Sequence, residues 1–150
     1  METSRGPRVY LYRRIVLAKL YMDQYFAEPI NLDLIAGKAF ISKFHFIRIF
    51  KQLYGRTPHQ YLTDIRVKHA ARLLAENKSV ANVCYDVGFE SISSFTGLFK
   101  RLIGSTPSSY QQQQFSRKEA VRNQPLFFIP NCFASANGWT NNSNFQEAIS

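Results

Sequence analysis

The residues best suited to binding a partner fall in two short runs. The first holds Lys43, Phe44, His45, Ile47, Arg48 and Lys51, and the second Ile92, Ser93, Ser94, Thr96, Gly97, Lys100 and Arg101. If the first run is helical, burying Phe46, Ile49, Phe50 and Leu53 on one face turns Lys43, Phe44, Ile47, Arg48 and Lys51 outward. Lys and Arg on such a face can meet phosphates or guanine edges, and Phe44 and Ile47 suit the thymine methyl of a DNA major groove. A merely solvated face has little use for two large apolar residues. The second run turns out Ile92, Ser93, Thr96, Gly97 and Lys100, with Ser94 near the helix start. Its hydroxyls can donate to phosphates or base edges, but only Lys100 and Arg101 carry charge. The first helix is therefore expected to supply more of the direct base readout. The second is expected to add phosphate anchoring and shape fit. His45 is placed on the first recognition helix, within reach of a phosphate.

Other chemistries find little support. His45, His59 and His69 show no ligand spacing and no adjacent acid that repeats a known site, so neither a metal, a cofactor nor catalysis is expected. Cys84 and Cys132 are far apart, outside any C-x-x-C arrangement, and Cys84 sits in an apolar stripe that predicts a buried, inert thiol. The charge is informative: 19 Lys and Arg against 10 Asp and Glu give +9, which favours a polyanionic partner. Membrane binding is disfavoured because the apolar stripes are needed internally. The polar start, Met1 to Arg8, lacks the apolar stretch of a secretory signal, and no run reaches spanning length, which predicts a cytoplasmic, nucleoid-associated protein.

These surfaces need helices to hold them, and the spacing supplies an all-α set. Leu11, Ile15, Ala18, Met22 and Tyr25 form one stripe of a helix over Arg8–Phe26, ended by Glu28-Pro29. Leu32, Ile35, Ala36 and Ala39 repeat the helical template behind an Asn31 cap. After Phe40-Ile41, Ser42 caps the first recognition helix and Gly55 stops it. Thr57-Pro58-His59-Gln60 then opens a long helix to about Glu76 with a capping box.

From Ser79 the pattern returns, with Val80, Val83, Cys84 and Val87 in the stripe. After one extra residue near Gly88 the match holds an offset of 49. Phe40/Phe89, Ser42/Ser91, Phe46/Phe95, Phe50/Phe99, Lys51/Lys100, Leu53/Leu102, Gly55/Gly104, Thr57/Thr106, Pro58/Pro107 and Tyr61/Tyr110 are identical pairs. Ten identities in the 22 positions from Phe40 to Tyr61 point to duplication of one structural unit. Residues 1–115 thus form one domain with two helix-turn-helix units. Residues 116–150 form an Asn-rich tail in which helical periodicity is lost, although Leu126-Phe127-Phe128-Ile129 and Trp139 are apolar enough to pack on something. The linking helix, Pro58–Glu76, spans roughly 28 Å at 1.5 Å per residue. That is close to the roughly 34 Å between successive major-groove faces, so one chain can engage both without dimerising.

Arg66, Ala70 and Leu73-Leu74, followed by Gly88-Phe89-x-Ser91-x-Ser93-x-Phe95-x3-Phe99-Lys100-x3-Gly104-x-Thr106-Pro107-x2-Tyr110, resemble the signature of the AraC/XylS family of bacterial transcription regulators. The resemblance covers about residues 9–115. It implies a seven-helix domain of two helix-turn-helix subdomains joined by the long helix, binding asymmetric promoter sites and often activating through RNA polymerase. Carried over by position, the family's base-reading residues fall on Phe44, Ile47 and Arg48, and on Ile92, Ser93, Ser94 and Gly97. Gly97 and Ile92 depart from the long polar side chains usual there. Most members carry a separate sensor domain, for which this chain has no room. It is either a small stand-alone member, which Met1 and the short lead-in favour, or one end of a longer protein. The rival reading is a protein-interaction module that recruits RNA polymerase or a co-regulator with little DNA affinity of its own.

Overall fold

The computed structural model describes residues 6–125, and within them seven helices and no strand. The helices are α1 (Gly6–Tyr25), α2 (Leu32–Ala39), α3 (Lys43–Tyr54), α4 (Pro58–Ala75), α5 (Val80–Asp86), α6 (Ile92–Ile103) and α7 (Pro107–Asn123). No helix among them is long and apolar enough to cross a membrane. The caps fall where the side chains ask for them. Asn31, Ser42, Thr57, Ser79, Ser91 and Thr106 each accept a hydrogen bond from the backbone N–H three residues on, satisfying an otherwise orphan donor. Thr57 and Gln60 complete a reciprocal capping box, and Gly55 and Gly104 close α3 and α6 in the left-handed conformation.

Two hydrophobic cores result. The first joins Ile15, Ala18 and Met22 of α1, Ile35, Ala36 and Ala39 of α2, Phe46, Ile49 and Phe50 of α3, and Leu62 of α4. The second joins Val67, Ala70 and Leu74 of α4, Val83, Cys84 and Val87 at α5, and Phe95 and Phe99 of α6. Ile15, Ala18 and Met22 have the same i, i+3, i+7 spacing as Val67, Ala70 and Leu74. The duplication thus extends to the preceding helix, and α4 serves twice, closing the first unit and opening the second. Tyr61 anchors α4 to the first unit: it packs against the first core, and its hydroxyl donates to Asp23 Oδ1 at 2.7 Å while Lys19 Nζ meets Asp23 Oδ2 at 2.6 Å. Burial raises the pKa of the Cys84 thiol, the chemistry of an inert core residue.

The structure corrects the sequence reading in four places. Helix α1 runs Gly6–Tyr25 rather than Arg8–Phe26, and Phe26 lies just past its end. Leu53 and its counterpart Leu102 are not core residues; both are 43% exposed. In the first unit the adjacent Tyr54 takes that place, its ring centroid 4.6 Å from that of Phe50, so the last turn of α3 sets Tyr54 rather than Leu53 on the core. Helix α7 continues through Ser116 to Asn123, since Arg117, Lys118, Glu119 and Ala120 are good helix formers needing no buried stripe. Lys118 also reaches the Ala75 carbonyl at the end of α4. The Leu126–Ile129 run, Cys132 and Trp139 lie outside the described residues.

The fourth correction concerns the extra residue. Phe40 N–H donates to Gly37 and Ile41 N–H to Ala36; Gly88 N–H donates to Tyr85 and Phe89 N–H to Cys84. The offset is still 48 here, so Phe40 matches Gly88, Ile41 matches Phe89, and Glu90 is the insertion. The identity of Phe40 with Phe89 is therefore coincidental: Phe89 packs on its core, whereas Phe40 is 79% exposed with φ 52°. Left-handed backbone without glycine costs about 1–2 kcal/mol, so the first turn carries strain that Gly88 spares the second.

Candidate nucleic-acid interface

Helix α3 presents its outer face much as the residue spacing requires. Phe44 is 84% exposed, and Arg48 and Lys51 also stand in solvent. Ile47 and His45 are half-buried. Lys43 is less free than expected, since its ammonium lies 3.1 Å from Asp33 Oδ2 on α2. With both partners well exposed, that pair contributes at most about 1 kcal/mol and leaves the ammonium within reach of a phosphate. The face begins at a capped helix start, where the macrodipole adds positive potential beside Lys43.

On α6, Ile92, Ser93, Ser94, Gly97, Lys100 and Arg101 are exposed and Thr96 is half-buried. The Ser91 hydroxyl accepts from Ser94 N–H at 3.1 Å and donates to Ser94 Oγ at 3.0 Å, leaving the Ser94 hydroxyl proton free for another acceptor. At Gly97 a Cβ would meet nothing within 4 Å, so no packing demand explains a glycine in mid-helix, where it costs about 1 kcal/mol relative to Ala. The thirteen positions therefore lie exposed or half-buried along α3 and α6, divided between the two units. Leu98 and Arg101 face a cleft between the units, with Gly55, Arg56, His59 and Thr63 on its other side. Arg56 there is paired with Asp64.

Residue spacing alone missed the parts that join the units. Phe26 packs against both cores, and its ring stacks on His69 with centroids 4.1 Å apart. Burial beside Phe26 lowers the His69 pKa, favouring the neutral ring. Arg66 Nε donates to the Phe26 carbonyl at 2.7 Å and Nη2 to the Glu28 carbonyl at 2.9 Å. Its position in the AraC/XylS-like motif marked Arg66, but no local periodicity shows a side chain reaching across 40 residues. Among the described residues, no group of His, Cys, Asp or Glu gathers as a metal set.

Residues 35–113, more than half of the chain, match the model of a helix-turn-helix domain. The MmsAB operon regulatory protein of Pseudomonas aeruginosa is 34% identical over 94 residues, covering 62% of this chain and 31% of its own length. The present chain thus spans about a third of that relative. Among solved structures, the DNA-binding domain of AdpA, a global transcriptional factor held in complex with a target DNA, superposes with TM-score 0.68 at 30% identity, covering 70% of this chain and 96% of that domain. An AraC-type transcriptional regulator from Chromobacterium violaceum gives TM-score 0.63 at 27% identity, covering 69% and 93%. With the double helix-turn-helix architecture, the family signature and these likenesses in agreement, the chain belongs to the AraC-type helix-turn-helix family of transcription regulators.

Proposed function

We propose that the chain binds promoter DNA as a sequence-specific transcription regulator, with α3 and α6 in successive major grooves of one duplex. The observation that carries this reading is the composition of the α3 outer face: Phe44 stands almost wholly in solvent beside Arg48 and Lys51, a mixture that serves a base-edge surface better than water. Arg48 is assigned to a guanine edge, and Phe44 and Ile47 to thymine methyls. Ser93 and Ser94 donate to base edges, Ile92 makes an apolar contact, and Gly97 lets the α6 backbone approach the groove floor. Lys43, His45, Lys51, Thr96, Lys100 and Arg101 hold phosphates. Because one chain carries both units, a monomer suffices. Activation through RNA polymerase in the bacterial cytoplasm follows from the same reading.

Separate substitutions of Arg48 and Ile92 by Ala test the division of labour. On a duplex selected by the wild-type protein, Arg48→Ala is expected to weaken binding by about 1–3 kcal/mol and to erase preference at one guanine. Ile92→Ala is expected to change preference less. Competition against single-base mismatches reads both, and a larger loss of discrimination from Ile92→Ala would reverse the assignment.

A further inference from the structure

Helix α4 joins the two units, yet a single helix is a poor ruler, because long helices bend and their ends fray. A second connection lies beside it. The segment after α1, Phe26 to Glu28, belongs to the first unit but is pressed against the turn between α5 and α6 in the second. At Gly88, φ is +90°, and an added Cβ would stand 2.7 Å from the Ala27 carbonyl oxygen and 3.0 Å from the Ala27 carbonyl carbon. Backbone therefore meets backbone with no room for a methyl. Arg66 clasps the same place: it holds the Phe26 and Glu28 carbonyls while its guanidinium lies 5.9 Å from the centroid of Phe89, the residue after Gly88. Phe26 itself is partly buried and packs against both cores. These contacts bear on the turn that leads directly into α6.

We propose that the Ala27–Gly88 backbone contact and the Arg66 clasp fix the separation and phase of the two recognition helices, so that the protein reads its two half-sites at a single spacing. The proposal rests on the DNA-binding reading above. One inserted base pair moves a half-site by about 3.4 Å and turns it by roughly 35° about the duplex axis, which a rigid pair of helices cannot follow. A pair joined by α4 alone would flex toward either register.

The test uses the full chain and a duplex that the wild-type protein has selected from a random library, remade with one base pair removed and with one or two added between the half-sites. Wild type is expected to lose at least tenfold in affinity at each changed spacing. Gly88→Ala, whose methyl must displace the Ala27 carbonyl, and Arg66→Met, which removes the donors but keeps an apolar stem, are each expected to reduce that discrimination below about threefold. Gly104→Ala is the control, since Gly104 has a similar φ of +94° but open space around the added methyl. It should keep the wild-type discrimination. Circular dichroism checks folding, and Arg66→Met carries the test if Gly88→Ala does not fold. Equal wild-type affinity at every spacing would overturn the proposal, as would wild-type discrimination retained in the folded variants. Failure of the wild-type protein to select any duplex would instead overturn the DNA-binding reading.

Discussion

Replacing Phe50 or Phe99 by Ala is expected to destabilise the protein by about 3–5 kcal/mol, a large share of the 5–15 kcal/mol typical of a domain. Each ring is fully buried at the centre of its unit. Phe50 lies 5.5 Å from both Phe46 and Tyr61 between ring centroids, and Phe99 lies 5.6 Å from Phe95 and 5.5 Å from Tyr110. The two aromatic clusters are counterparts, so similar losses are expected from either site. Because α4 supplies residues to both cores and Phe26 packs on both, damage in one unit should lower the stability of the other. Urea unfolding followed by far-ultraviolet circular dichroism should therefore show one shifted transition for each variant. Two separated transitions would mean that the units fold independently.

The second large effect is a steep dependence of DNA affinity on salt. Lys43, Lys51, Lys100 and Arg101 are the four cations assigned to phosphates. Four neutralised phosphates give a slope near −3.6 in log affinity against log salt, an affinity loss of about 150-fold between 50 and 200 mM. Removing Lys51, which is exposed and has no ion-pair partner within 4 Å among the described residues, should reduce the slope by about one. Lys43 should matter less, because Asp33 already partly neutralises it. A flat salt dependence would remove the phosphate contacts from the account and favour a surface that binds protein.

Much of this architecture is legible in residue order because it is local. A cap such as Ser42 or Thr57 and a stripe such as Phe46, Ile49 and Phe50 act within one or two helical turns, and the structure holds them as their spacing requires. The outer faces follow by exclusion, which is why Phe44, Arg48, Ser93 and Gly97 could be placed before any coordinates. What escaped is what depends on distant partners. Leu53 has core periodicity, but the last turn of α3 sets the adjacent Tyr54 on the core and leaves Leu53 exposed, and only tertiary packing decides that. The extra residue lies near Gly88 as the repeat requires, but the identity of Phe40 with Phe89 pairs the wrong residues, since the hydrogen bonds of the two turns match Phe40 to Gly88 and put the insertion at Glu90. The clasp of Arg66 on Phe26 and Glu28 joins residues 40 and 38 positions apart, which no pattern of local period can report.

Base-resolution footprinting on a duplex selected by the wild-type protein tests the account most directly. Two protected patches should appear on one side of the helix, about one turn apart, and scrambling either patch should cost at least tenfold in affinity. A single protected patch, or retention on DNA that scrambling leaves unchanged, would contradict the claim that α3 and α6 read the duplex together.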